Sequence, residues 1–124
     1  MKKSSQLISV GNAISEGKDQ RGWFVGAFVE ALGPLQKNES IEVKWGVHSE
    51  GEARSSKAEA GVATSLSILL KGRMGFTFKG KKEIVLEGEG DYLMWNPNIP
   101  HSTISYQDAV VLTIRCPSLS NKRN

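Results

Sequence analysis

The 124-residue sequence contains one cysteine, two histidines and no long apolar run. A single cysteine cannot form a disulfide within the chain, so nothing indicates a small secreted domain. No segment approaches the ~20 apolar residues of a membrane-spanning helix. The apolar run 7–10 is also shorter than the ~7–15 apolar residues of a signal peptide. We therefore expect a cytoplasmic protein with no membrane partner.

Clustered charge is also missing. The formal net charge is +3. The two short basic runs, 79–82 and 121–124, have the composition of a hairpin tip and a chain end. A nucleic-acid-binding surface normally collects its positive charge on one face, often with aromatic side chains that stack on bases. We therefore expect no nucleic-acid partner.

Motifs of covalent and phosphate chemistry are absent as well. No G-x-S-x-G surrounds Ser65 or Ser67, as a serine nucleophile on a strand-to-helix turn would require. Gly72 and Gly75 lie between two predicted strands rather than before a helix, where a phosphate-cradling loop belongs. Cys116 has no histidine or helix start beside it to activate its thiol, so we expect no catalytic thiolate.

Alternating side chains are the main pattern that the sequence does contain. Between positions 41 and 48 an apolar row alternates with a largely polar one: Ile41, Val43, Trp45 and Val47 against Glu42, Lys44, Gly46 and His48. A period of two predicts a half-buried strand. In a barrel, the polar row faces either the lumen or the solvent.

Similar short strands recur along the chain, separated by turn residues. They are predicted at 23–30, 64–70, 73–78, 83–86, 92–95, 101–106 and 108–115. Residues 49–61 read as a loop or an irregular edge, and residues 1–20 as a flexible lead or an added edge strand. No segment sustains a helical period. About eight strands at this spacing favour a sandwich or a closed barrel, formed by one domain over residues 1–124.

The segment from Gly90 to His101 is the most informative part of the chain. An acidic turn, a short apolar strand and a proline-braced loop precede the histidine. The fixed φ of Pro100 stiffens the approach to the imidazole. This order resembles the second conserved motif of the cupins, G-x5-P-x-G-x2-H-x3-N. In that motif Asp91 follows the leading glycine, and the inner proline, inner glycine and terminal asparagine positions hold Asn96, Asn98 and Ser105.

The first cupin motif, G-x5-H-x-H-x3,4-E-x6-G, is kept at its last glycine, which matches Gly72. Its glutamate position then holds Ser65, and its two histidine positions hold Glu59 or Ala58 and Gly61 or Ala60. Of the four metal ligands that the family carries, His101 alone stands at its position. The resemblance therefore implies a barrel without a complete metal site.

Over residues 41–116 the chain resembles a small single-domain cupin, an RmlC-like protein of uncharacterised function. The resemblance implies an all-β fold, a cupin-type jelly-roll β-barrel of two antiparallel sheets whose core is 41–116. It also implies a small-molecule ligand in the lumen. By analogy with the family we expect a homodimer, which would cover exposed sheet edges.

Four residues form the candidate ligand-binding set: His101, Trp95, His48 and Arg54. His101 is either a binding or acid–base group or a structural histidine that satisfies loop backbone groups. His48 is either a ligand contact or a surface histidine. Arg54 either grips a carboxylate or phosphate through paired hydrogen bonds or is a solvated loop cation. Trp95 forms an apolar cavity wall, part of the core, or both.

We therefore expect a lumen that binds a compact ligand, with no cofactor and no metal. The alternative is a metal-dependent enzyme, a dioxygenase or an isomerase. It would hold a divalent transition metal through His101, His48 and a loop carboxylate from Glu50, Glu52 or Glu59. A third hypothesis is a non-catalytic assembly module. The sequence leaves open whether any reaction is catalysed.

Overall fold

The structure is a computed structural model that describes residues 7–30, 33–56, 63–97 and 99–118. Within those ranges the chain forms one short helix and nine strands: α1 (Ala13–Gly17), β1 (Trp23–Val25), β2 (Glu42–His48), β3 (Ala53–Ser56), β4 (Thr64–Lys71), β5 (Met74–Phe78), β6 (Ile84–Leu86), β7 (Tyr92–Trp95), β8 (His101–Ser105) and β9 (Ala109–Cys116). Positions 58–61 of the first cupin motif and Asn98 of the second lie outside the described residues. None of the helices in the described ranges has the length and apolarity to cross a membrane.

The strands pair into two antiparallel sheets. One sheet has the order β1-β2-β9-β4-β7 and the other the order β3-β8-β5-β6. Neighbouring strands are often distant in sequence, as β2 and β9 are, which is typical of a jelly roll. The predicted all-β jelly-roll barrel of two antiparallel sheets is confirmed.

The apolar core lies between the two sheets and draws on both of them. Its buried members are Leu69, Met74, Phe76, Phe78, Leu86, Leu93, Ala109 and Val111, with Trp95 and Ile99 packed against them. Along β9 the inward-facing side chains change from apolar to polar. Ala109 and Val111 belong to this core, whereas Thr113 and Arg115 line a cavity. The lumen is therefore part solid core and part polar chamber.

β2 turns its polar row inward. Glu42 is fully buried, and the His48 side chain is 12% exposed, whereas Val47 of the apolar row is 64% exposed. The register places His48 opposite Ala109 of β9, which is itself buried in the core. The interpretation of His48 as a surface histidine is therefore wrong, because the apolar row is the one that lies on the outside of the barrel.

Two predicted segments differ in extent from the observed strands. The strand predicted at 23–30 ends at Val25, because the chain turns at Gly26. The Gly26 amide donates to the Gln36 carbonyl and its own carbonyl accepts from the Asn38 amide. The segment predicted as a loop or irregular edge at 49–61 contains β3, an edge strand that pairs with β8.

The predicted lead forms a helical turn in residues 13–17 instead of an added edge strand. Asn12 caps this helix: its Oδ1 accepts from the Ser15 amide at 3.0 Å, and its own amide donates to Glu16 Oε2 at 2.8 Å. These two reciprocal hydrogen bonds satisfy backbone amides at the helix start, which have no carbonyl partner within the helix. A helix this short cannot display the period that helix prediction relies on.

Gly72 and Gly90 close two turns with the same backbone angle, φ +92°. L side chains rarely adopt this conformation, which costs roughly 1–2 kcal/mol. The space around the two glycines differs. A Cβ on Gly90 would meet nothing within 4 Å, whereas one on Gly72 would lie 2.6 Å from the Cα of Ala109 and overlap the Asp108 carbonyl oxygen. Gly72 is therefore required for space as well as for backbone conformation.

We expect Gly72→Ala to destabilise the protein more than the matched control Gly90→Ala. The control should lower the free energy of unfolding by about 1 kcal/mol through the backbone angle alone. Gly72→Ala should cost about 3 kcal/mol or more, because the facing backbone must also move. Urea unfolding followed by tryptophan fluorescence measures both losses, and equal losses would contradict the close packing of Gly72.

Candidate functional site

All four predicted site residues line one cavity between the sheets, with a volume of about 100 Å³. His48 comes from β2, Arg54 from β3, Trp95 from β7 and His101 from the start of β8. Because these strands belong to both sheets, the four residues meet only when the barrel closes. The structure thus brings together side chains that are up to 53 positions apart in the sequence.

Two further cations line the same cavity and were not among the predicted site residues. Lys44 lies on β2 and Arg115 on β9. The period of two that placed His48 on the polar row also placed Lys44 there, so the sequence contained the signal for that residue. Arg115 gave no comparable signal, since its position depends on the pairing of β9 with β2 and β4.

Positive charge is the dominant electrostatic feature of the cavity. Its described lining contains Lys44, Arg54 and Arg115 but no carboxylate. The carboxylate of Glu42 offsets the charge of Arg115, since Glu42 Oε1 lies 4.0 Å from the guanidinium Nη1. The Trp23 ring lies 5.1 Å from the Arg115 guanidinium carbon and 5.7 Å from Lys44 Nζ. A buried indole therefore supports two of the three cations.

Lys44 is the least compensated of these cations. Among the described residues no hydrogen bond or salt bridge holds its ammonium group. Burial, followed by the charges of Arg54 and Arg115, lowers the pKa of Lys44 from 10.5 to about 8. A half-buried ammonium without a carboxylate is a strong attractor for an external anion.

His101 lies in a cluster of aromatic rings at the cavity wall. Its ring stacks on Phe78 at a centroid distance of 5.5 Å and lies 5.1 Å from Trp95. Its Nδ1 lies 3.4 Å from the Ile99 carbonyl oxygen, and this contact requires the proton on Nδ1, since a carbonyl only accepts. Burial lowers the pKa of His101, which outweighs the opposing effect of the Ile99 contact. The imidazole is therefore neutral at pH 7.

His48 and Arg54 share one carboxylate at the mouth of the cavity. Glu52 Oε2 lies 2.6 Å from Arg54 Nε and 3.3 Å from His48 Nδ1. Burial lowers the pKa of His48 even though Glu52 opposes the change, so His48 donates to Glu52 as a neutral ring. Burial acts to raise the pKa of Glu52, but the Ser49 amide, His48 and Arg54 together lower it. Glu52 is thus an ionised partner of Arg54.

The residues that the structure describes do not fit a metal site of the cupin type. The described ranges contain no group of three His, Cys, Asp or Glu that could hold a metal ion. Of the loop carboxylates, Glu52 is bound to Arg54, the Glu50 side chain is exposed, and Glu59 lies outside the described residues. The glutamate position of the first motif holds Ser65, a buried residue of β4.

The cavity borders a larger groove of about 550 Å³ between α1 and the edge of β2. Lys44, His48 and Arg54 line both spaces. β1 pairs with β2 at Val43 and Lys44, and the Gly22 carbonyl accepts from the Trp45 amide, so the β2 edge beyond Trp45 is left to the groove. A ligand in the cavity could therefore extend outward past these three side chains.

Solved structures of known proteins resemble this fold, although no family model and no curated protein matches the sequence. An RmlC-like cupin protein from Desulfovibrio desulfuricans is 20% identical, with a TM-score of 0.61, and the match covers 96% of this chain and 100% of that one. A cupin superfamily protein from Desulfitobacterium hafniense is 19% identical over 68% of this chain and 73% of that one, with a TM-score of 0.58.

A third match is the cupin-2 domain of an XRE family transcriptional regulator from Enterobacter cloacae. It is 11% identical over 71% of this chain and 93% of that one, with a TM-score of 0.59. Likeness at these identities shows the fold. The chain has the cupin fold, as the segment from Gly90 to His101 predicted.

The histidine geometry predicts that both imidazoles titrate below their ordinary pKa of about 6.5. The unfolded chain then takes up protons first as the pH falls, so the free energy of unfolding should decrease below pH 6.5. NMR titration of the imidazole signals, assigned with His48→Gln and His101→Gln, measures the two pKa values. A value at or above 6.5 for either ring would contradict its burial in the barrel.

Proposed function

We propose that this protein binds a compact anionic small molecule, a carboxylate, in the barrel lumen without a complete metal site. The single observation that carries the proposal is the cavity lining with three cations and no described carboxylate. A guanidinium grips a carboxylate through two parallel hydrogen bonds, and an ammonium adds a point charge. His101, Trp95, His48 and Arg54 would contact or enclose this ligand.

The size of the cavity supports a small ligand. Drug-sized ligands occupy pockets of ~300–1,000 Å³, whereas this cavity measures about 100 Å³. The anionic end and a few further atoms would fill it, and any longer remainder would lie in the groove beside α1. Trp95, Phe76 and Val111 supply an apolar wall for the carbon atoms of the ligand.

Polar but uncharged groups complete the proposed ligand site. Ser67 Oγ and Thr113 Oγ1 lie 2.8 Å apart in the lining, and Thr103 adds a third hydroxyl. Hydroxyl groups both donate and accept, so they suit the second oxygen of a carboxylate or a neighbouring substituent. Because the fold hosts many functions, these side chains rather than the fold support the proposal.

The metal-dependent enzyme gains no support from the described residues, since Glu52 is already bound by Arg54 and His48.

The homodimer also stays a proposal. It is compatible with apolar side chains on the outer face of the five-stranded sheet, where Val47, Tyr92 and Met94 are 58–64% exposed. Sedimentation equilibrium of the wild type and of Met94→Glu tests it, and a wild-type monomer would overturn it.

We expect isothermal titration calorimetry to detect binding of compact carboxylates, with acetate, propanoate and pyruvate as the probes. Arg54→Met should weaken binding about tenfold or more, because a charge-assisted hydrogen bond contributes roughly 1.5–3 kcal/mol. Arg73→Met is the matched control, since Arg73 lies outside the cavity and is bound to Glu87. Equal affinities of the two variants, or no binding of any probe, would contradict the proposal.

A further inference from the structure

We propose that Lys44 is a nucleophile that forms an imine with a 2-oxo acid held in the cavity. This inference rests on the proposed carboxylate site and adds a covalent step and a substrate class to it. Lys44 lines both the cavity and the groove, so its side chain is accessible to a ligand in either space. The arginines would hold the carboxylate while the adjacent carbonyl faces the amine.

The surroundings of Lys44 are those of an activated amine. A lysine becomes nucleophilic near neutral pH when it is desolvated and lies beside other cations. Lys44 is half-buried, and its ammonium has no carboxylate partner among the described residues. Its Nζ lies 5.7 Å from the centre of the Trp23 ring, which forms an apolar floor beneath it.

Charged groups on several elements face Lys44, and most of them disfavour its protonation. Burial is the largest cause that lowers the pKa of Lys44, and Arg54 on β3, Arg115 on β9 and Arg21 before β1 lower it further. Glu52 acts in the opposite direction. In the ligand-free protein, a pKa of about 8 leaves a substantial fraction of this amine unprotonated at pH 7.5, unlike that of an exposed lysine.

The reaction needs no oxidant, reductant or metal. The amine lone pair attacks the ketone carbon, the nitrogen gives up one proton and the carbonyl oxygen takes up one, which gives a neutral carbinolamine. The carbon–oxygen bond then breaks, and the hydroxyl group leaves with the remaining nitrogen proton as one water molecule while the carbon–nitrogen double bond forms. One imine and one water thus replace one amine and one ketone. Neutral His101 and the paired hydroxyls of Ser67 and Thr113 line the cavity and are suited to move these protons.

The carboxylate and the ketone of a 2-oxo acid match the guanidinium and amine groups of the cavity, respectively. Its carboxylate suits the planar guanidinium of Arg54 or Arg115, and its ketone suits the amine of Lys44. The groups lie on adjacent carbons, which keeps the ligand within a cavity of about 100 Å³. A simple ketone lacks the carboxylate and would not be retained, which gives the proposal a discriminating control.

The test is reductive trapping with pyruvate and sodium cyanoborohydride at pH 7.5, read by intact-protein and fragment mass spectrometry. We expect the adduct on Lys44 to form about tenfold or more faster than adducts on the exposed Lys37 and Lys79, and the fragment spectra separate it from any adduct on the N-terminal α-amine. Lys44→Arg keeps the positive charge and should abolish the selective adduct. Arg54→Met should slow its formation, and acetone, which lacks the carboxylate, should label Lys44 about tenfold or more slowly than pyruvate does.

The outcomes separate this inference from the proposed function. Calorimetric binding of pyruvate without an adduct on Lys44, or equal labelling of Lys44 and the exposed lysines, would overturn the imine and leave the carboxylate site standing. Selective labelling of Lys44 by acetone as fast as by pyruvate would overturn the 2-oxo acid specificity. Absence of binding for every carboxylate would overturn both proposals.

Discussion

Charged side chains in a closed barrel must be neutralised, and this constraint governs the lumen of the protein. Removing an ion from water costs several kcal/mol unless a partner or hydrogen bonds compensate it. Arg115 has Glu42 nearby, and Arg54 has Glu52. Lys44 has the face of Trp23 and no described carboxylate. The cavity therefore carries an excess of positive charge that an external anion would offset.

Strand pairing holds the backbone that carries two of these cations. β2 and β9 pair over seven successive positions, and β9 also pairs with β4. Lys44 and Arg115 thus project from strands whose backbones are hydrogen-bonded on both sides within a sheet, rather than from a loop. Arg54 differs, since it projects from the edge strand β3, and its side chain is 55% exposed. The site therefore combines two inner cations with one at the mouth.

Local pattern explains which parts of this molecule the sequence could predict. Glycine-marked turns and a period of two were sufficient to predict most strands, and the loop before His101 was sufficient to predict the fold. The charge of the lumen could not be predicted, because it depends on which face of β2 points inward and on the pairing of Lys44 with Thr113. That pairing joins strands about 70 positions apart, a separation that no local pattern encodes. The helix capped by Asn12 was missed because it is too short to show a helical period.

The pKa of Lys44 tests the central claim most directly. Reductive ¹³C-methylation followed by NMR reports each lysine amine, and Lys44→Arg assigns the signal of Lys44. The account predicts a pKa near 8 in the free protein, which rises when acetate is added, because a bound anion favours the ammonium form. A value near the ordinary 10.5 that acetate does not change would contradict the cationic, anion-binding lumen.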